Sequence, residues 1–162
     1  MRNNCTMQIK IIATGKLKEK SYREIAEEFS KRIRPFCSLK IIEIQAENLK
    51  TSPTEKTARE REAQRILPHI TENSFVITME IEGENLSSEN FAKKITEISN
   101  SGINEVIFII GGATGLDDAL KNRTNFSLSF SKMTFTHQFA RLMLLEQLYR
   151  AFKIMSGEPY HK

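Results

Sequence analysis

The sequence predicts an α/β fold, a mainly parallel sheet flanked by helices on both faces. Two observations carry this expectation. Short apolar runs of strand length alternate along the chain with longer segments whose apolar residues recur at helical spacing. Parallel strands also need long crossovers, which those helical segments supply while covering the sheet.

Each element follows from its residues. Ile9, Ile11, Ile12 and Ala13, entered from Met7, form a first buried strand that stops at Thr14-Gly15. Tyr22, Ile25, Ala26, Phe29 and Ile33 then mark one face of an amphipathic helix, and Pro35 ends it. Leu39, Ile41, Ile42 and Ile44 make a second strand. The charged stretch from Glu55 to Leu67, opened by Ser52-Pro53-Thr54, has helix-forming composition, and its thin apolar face predicts an outermost position. Phe75 to Met79 form a third strand, followed by a helix capped by Ser87 or Ser88 that carries Phe91, Ile95 and Ile98 on one face. Val106 to Ile110 form a fourth strand that runs into Gly111-Gly112. A short helix from Leu116 to Arg123, a short strand from Phe126 to Phe130 and a long helix from about His137 to Met155 complete the series.

With 162 residues, 40% of them hydrophobic, the chain has enough material for one core, and we expect a single domain over 1–162 with 1–6 as a loose extension. The net charge of +4 leans toward a polyanionic partner without specifying one. Two cysteines, Cys5 and Cys37, do not make a disulfide framework, and no apolar run is long enough to span a bilayer. A cytoplasmic protein without a membrane partner is expected. Three histidines without paired ligand spacing make a metal site improbable.

Ligands of open parallel sheets bind beyond the carboxyl ends of the strands. The first such loop, Thr14 to Lys18, lacks both the Gly-x-Gly-x-x-Gly of a dinucleotide site and the Gly-Lys-Ser/Thr of a P-loop. Gly111, Gly112 and Gly115 give a backbone that a ligand can approach closely, although on the glycines alone a tight turn is the first reading. Ser127 to His137 interleaves hydroxyls with Phe130, Met133 and Phe135, the make-up of a small-molecule pocket or of a strand end packed into the core. On the last helix, His137 and Arg141 lie opposite a stripe of Glu146, Gln147, Arg150 and Lys153. A buried arginine there needs a structural carboxylate, a partner subunit or an RNA phosphate. The remaining apolar surface of that helix exceeds one sheet face, so a second copy or a neighbouring helix must cover it.

Taken together, Val76 to Ile81 (VITMEI), Phe108 to Gly115 (FIIGGATG), Leu128 to Phe135 (LSFSKMTF) and Glu146 to Ile154 (EQLYRAFKI) closely resemble the RlmH family, and the Pro-Tyr-His-Lys ending completes the likeness from Met7 to Lys162. RlmH proteins are SPOUT-class methyltransferases that act on N3 of a pseudouridine in the helix-69 loop of 23S ribosomal RNA. The resemblance implies a C-terminal trefoil knot, a homodimer, S-adenosyl-L-methionine bound in the knotted loops, no metal, and 23S rRNA in the assembled 70S ribosome as partner. By motif position the family's donor contacts fall on Met79, Gly111, Phe130, Ser131, Lys132, Met133, Thr134 and Phe135. Arg141, Tyr160 and His161 match positions associated with the acceptor or with catalysis. One departure stands in the last loop, where Thr136 replaces the family's usual Pro, frees an N–H and is expected to loosen the backbone. Two rivals remain open: a SPOUT enzyme acting on transfer RNA, and a non-catalytic ribosome- or RNA-binding protein.

Overall fold

The computed structural model describes residues 7–160. The extension 1–6, with Cys5, and the tail residues His161 and Lys162 lie outside the described residues. Five strands, β1 (Gln8–Thr14), β2 (Ser38–Ile44), β3 (Ser74–Asn85), β4 (Glu105–Ile110) and β5 (Phe126–Ser129), pair in the order β2-β1-β4-β3-β5, every neighbouring pair parallel. Helices α1 (Lys20–Ile33), α2 (Glu55–Ile66), α3 (Ser88–Asn100), α4 (Asp118–Lys121) and α5 (His137–Met155) fill the crossovers and the carboxyl end.

Alternation along the strands divides the core in two. On one face Ile9, Ile11, Val106 and Phe108 pack against α1, α3 and α5; on the other Ile12, Ile107, Ile109 and Val76 pack against α2 and the Leu116–Leu120 segment. Both faces are covered, as the strand–helix alternation predicts. Helix α2 departs from its expected outermost place. Ala58, Ala63 and Ile66 are buried at 0–2% exposure, because small alanines let a helix of low apolar content lie close on the sheet.

Capping explains where the helices begin. The Thr54, Ser87, Asp117 and Thr136 side chains accept the N–H of Thr57, Asn90, Ala119 and Phe139, respectively. Ser87, not Ser88, caps α3. Thr136 does not loosen the last loop: as a hydroxyl cap it stabilises the first turn of α5, an interaction a proline cannot make.

Most of the apolar surface of α5 is covered within the chain. Leu142, Leu144, Leu145, Leu148 and Phe152 are buried, and α5 packs against both α1 and α3. What stays open is Met155 at the far end and, at the start, Phe139, 43% exposed, in ring contact with Tyr22 at 6.4 Å and with Phe135 at 6.2 Å.

Strand β3 runs six residues past its predicted end, but its pairing with β5 is broken. Met79 and Glu84 both oppose Leu128, so the residues between them bow away from β5. Gly83 makes the return possible: a Cβ there would stand 2.7 Å from the Leu128 carbonyl carbon and 2.8 Å from the Ser127 oxygen.

Candidate active site

The carboxyl ends of β3, β4 and β5 open into one cavity of about 930 Å³. Its walls come mainly from three segments, the bowed part of β3 (Met79 to Glu82), the turn after β4 (Gly111 to Asp118) and the loop from β5 into α5, with Lys56 and Arg59 of α2 and Lys121 of α4 at its side. Met79 is placed by its pairing with Ile110 and Leu128, at the last residue before β3 bows out.

The floor is built on glycine. A Cβ at Gly111 would meet the Leu116 side chain at 2.8 Å and the Gly115 oxygen at 3.0 Å; one at Gly112 would meet the Glu62 carboxylate at 2.9 Å. The turn closes with the Gly115 N–H donating to the Gly112 carbonyl at 3.2 Å. Of the two readings open to these glycines from sequence, the tight turn is realised, and it forms part of the cavity wall.

Of the donor positions carried over by motif, Met79, Gly111, Phe130, Ser131, Met133, Thr134 and Phe135 converge on this cavity. Lys132 is exposed and is not part of the lining. Met133 stands 71% exposed at the rim, while Ser131 Oγ accepts the Met133 N–H at 3.0 Å and Ser129 Oγ donates to the Ser131 carbonyl at 3.0 Å, which gives this irregular loop a defined path. Residue-by-residue reading missed Glu80. Its carboxylate lines the cavity, accepts from the Thr78 hydroxyl at 2.7 Å and from Ser127 at 3.2 Å, and pairs with Lys121 at 3.5 Å. The i, i+2 relation to Thr78 was the available signal.

Arg141 is 1% exposed and does not reach the cavity. Of the three partners open to it from sequence, it takes a carboxylate of its own chain: Nη1 donates to Glu43 Oε1 at 2.6 Å and Nη2 to the Gly15 carbonyl at 2.7 Å. His137, one turn earlier, lines the cavity and packs on Gly15, where a Cβ would stand 3.0 Å from its Nε2. Burial, with the Arg141 and Lys18 charges, holds its imidazole below the ordinary value of 6.5.

Tyr160 lies elsewhere. It makes an edge contact with Tyr149 at 4.8 Å, and the Arg150 guanidinium stacks over its ring at 4.8 Å while also pairing with Glu146. Tyr149 follows His137 by twelve helical residues, so this tail contact is roughly 18 Å along α5 from the cavity rim. Among the described residues no group of three His, Cys, Asp or Glu side chains converges as a metal site requires.

An open parallel sheet with a cavity at its carboxyl edge, walled by a glycine turn and by the loop into the last helix, has the layout in which such sheets bind ligands. The chain belongs to the SPOUT methyltransferase family: the family model described as "Predicted SPOUT methyltransferase" matches residues 7–161. It is similar to the "Putative ribosomal RNA large subunit methyltransferase H" of Methanococcus maripaludis, 49% identical over 159 residues, spanning 96% of this chain and the whole of that protein. The "Ribosomal RNA large subunit methyltransferase H" of Clostridium acetobutylicum and that of Clostridium botulinum (strain Loch Maree) are each 46% identical over the same share.

Proposed function

We propose that this protein transfers a methyl group from S-adenosyl-L-methionine to N3 of a pseudouridine in the helix-69 loop of 23S rRNA, acting on assembled ribosomes as a homodimer. The observation that carries the donor half is the convergence of seven of the eight motif positions on one cavity. Its volume, largely apolar walls and glycine-rich turn suit an adenosine, whose faces need apolar contact and whose edges need backbone groups. Near full-length relatives named for large-subunit rRNA methylation support the acceptor half.

S-adenosyl-L-methionine supplies an activated methyl on a sulfonium, and the transfer is an in-line displacement. The protein's work is alignment and exclusion of water. The Gly111–Gly115 turn and the Phe130–Phe135 loop hold the donor. Neutral pseudouridine carries a proton on N3, which must leave near the transition state, and His161 is the proposed acceptor with Tyr160 orienting the base. Within one chain Tyr160 rests on Tyr149 and Arg150, far from the cavity rim, so the tail that serves a given cavity comes from the second copy. The exposed Phe139, Phe135 and Tyr22 group is the apolar surface on which that copy docks. Arg141, enclosed by Glu43 and Gly15, is a positioning residue for the loop after β1. The C-terminal segment is threaded as a trefoil knot in this reading.

The purified protein, labelled S-adenosylmethionine and 70S ribosomes lacking the modification test the proposal, with transfer RNA and free rRNA in parallel. Label on 23S rRNA of ribosomes is the expected result. Label on transfer RNA alone would make this a transfer-RNA enzyme, and ribosome binding without any transfer would make it a non-catalytic binding protein.

A further inference from the structure

Helix α2 reaches the cavity through Lys56 and Arg59, which line it, while Glu62 stands outside the lining. Arg59 Nη1 donates to the Thr114 carbonyl at 3.4 Å, and one turn further along Glu62 packs on Gly112. A Cβ at 112 would stand 2.9 and 3.1 Å from the two Glu62 carboxylate oxygens and 3.2 Å from the Thr14 methyl, so the side chain is absent where the carboxylate needs the space. Glu62 is only 6% exposed, and Oε1 accepts the Glu47 N–H at 2.9 Å. Among the described residues no cation stands within ion-pair distance of it; Arg61 and Arg65 of the same helix pair with Glu47 instead.

A buried carboxylate without a counter-ion costs stability, and a folded protein retains such a group most readily where the charge serves a ligand. The methyl donor and its demethylated product are nearly identical in shape but differ in charge: the donor sulfur is a cation, and the product sulfur is a neutral thioether. A fixed anion beneath the floor attracts the first more than the second.

We propose that Glu62 is a specificity-determining residue of the donor site, its carboxylate favouring the cationic donor over the uncharged-sulfur product and so easing exchange after each transfer. This rests on the assignment of the cavity to S-adenosylmethionine. The other charges that act on Glu62 are Glu47, from the loop before α2, and Arg65 on its own helix; Thr14 and Gly112 bring none. Across the cavity, Glu80 is already engaged by Lys121.

Calorimetric titration of the full chain with S-adenosylmethionine and with S-adenosylhomocysteine provides the test, comparing the unaltered protein with Glu62→Gln. Glutamine keeps the shape and can still accept the Glu47 N–H. The substitution should weaken the donor about tenfold and the product by less than about threefold. The melting temperature at pH 7 should not fall, because a buried charge is removed. Equal weakening of both ligands, or of neither, would overturn the proposal. A second arm needs no variant. Burial pushes the Glu62 carboxyl above the ordinary value of 4.5, so donor affinity should drop relative to product affinity as the pH falls through that raised value. A ratio independent of pH would overturn it as well. If the unaltered protein binds neither ligand, the donor assignment fails first, and this inference fails with it.

Discussion

The Arg141 guanidinium and the Glu43 carboxylate meet at 2.6 Å between the first turns of α5 and the end of β2, although the two residues are 98 positions apart in the chain. Arg141 is 1% exposed, whereas the Glu43 side chain keeps 34% of its surface, so the arginine is the partner that depends on the pair. Arg141→Ala should cost about 2–4 kcal/mol, and Glu43→Gln less, since a glutamine oxygen still accepts. Chemical denaturation measures both, and a double-mutant cycle should return a coupling of about 1–3 kcal/mol. Additive effects would show that the pair contributes nothing.

Gly83→Ala should destabilise the fold by about 2–4 kcal/mol, because the added methyl is opposed by backbone atoms of Leu128 and Ser127 that have no rotamer with which to yield. The loss should appear in the midpoint of urea unfolding. An unchanged midpoint would mean that β3 and β5 are not as close as described.

His137 gives a pH dependence of definite sign. Its folded-state value is lowered from 6.5, first by burial and then by Arg141 and Lys18. As the pH falls past that ordinary value, the unfolded chain takes up the proton before the folded one, so stability declines with acidification and levels off below the depressed folded value. The melting temperature of the unaltered protein should therefore fall across this window more steeply than that of His137→Gln. Parallel curves would refute the assignment.

Phe139→Ser tests the proposed docking surface at a residue that does not itself line the cavity. Sedimentation should show a dimer for the unaltered chain and a shift toward monomer for the variant at low micromolar concentration. A monomeric unaltered protein, or a variant that stays dimeric, would remove Phe139 from the interface.

Much of this architecture is legible in the residues. Apolar runs marked the first four strands, the alternation from Phe126 to Phe130 marked the fifth, and Gly111-Gly112 and the Phe130–Phe135 loop flagged the cavity, because strand ends and glycine turns leave local signals. What escaped depends on contacts distant in sequence. Glu62 sits at i+4 from Ala58 and i−4 from Ile66, on the buried face of α2; only folding shows that Gly112 leaves room for its carboxylate. The bow in β3 escaped because the predicted strand stopped at Met79, and the clash that forces Gly83 comes from β5, more than forty residues away. The thin apolar stripe of α2 misled because alanine contributes little hydrophobicity yet permits close approach. Likewise, Thr136 was weighed as a lost proline when its hydroxyl serves as a cap.

The central claim is that the cavity beyond β3, β4 and β5 holds the donor used to methylate 23S rRNA. The most direct test incubates unmodified ribosomes and labelled S-adenosylmethionine with the unaltered protein or with Gly111→Val, a substitution that fills the cavity floor, and maps the product by mass spectrometry of rRNA fragments. The account predicts one methyl on N3 of a helix-69 pseudouridine with the unaltered protein, and none with a Gly111→Val chain that retains its circular dichroism spectrum. Equal labelling by both proteins, or a methyl placed on any other nucleotide, would contradict it.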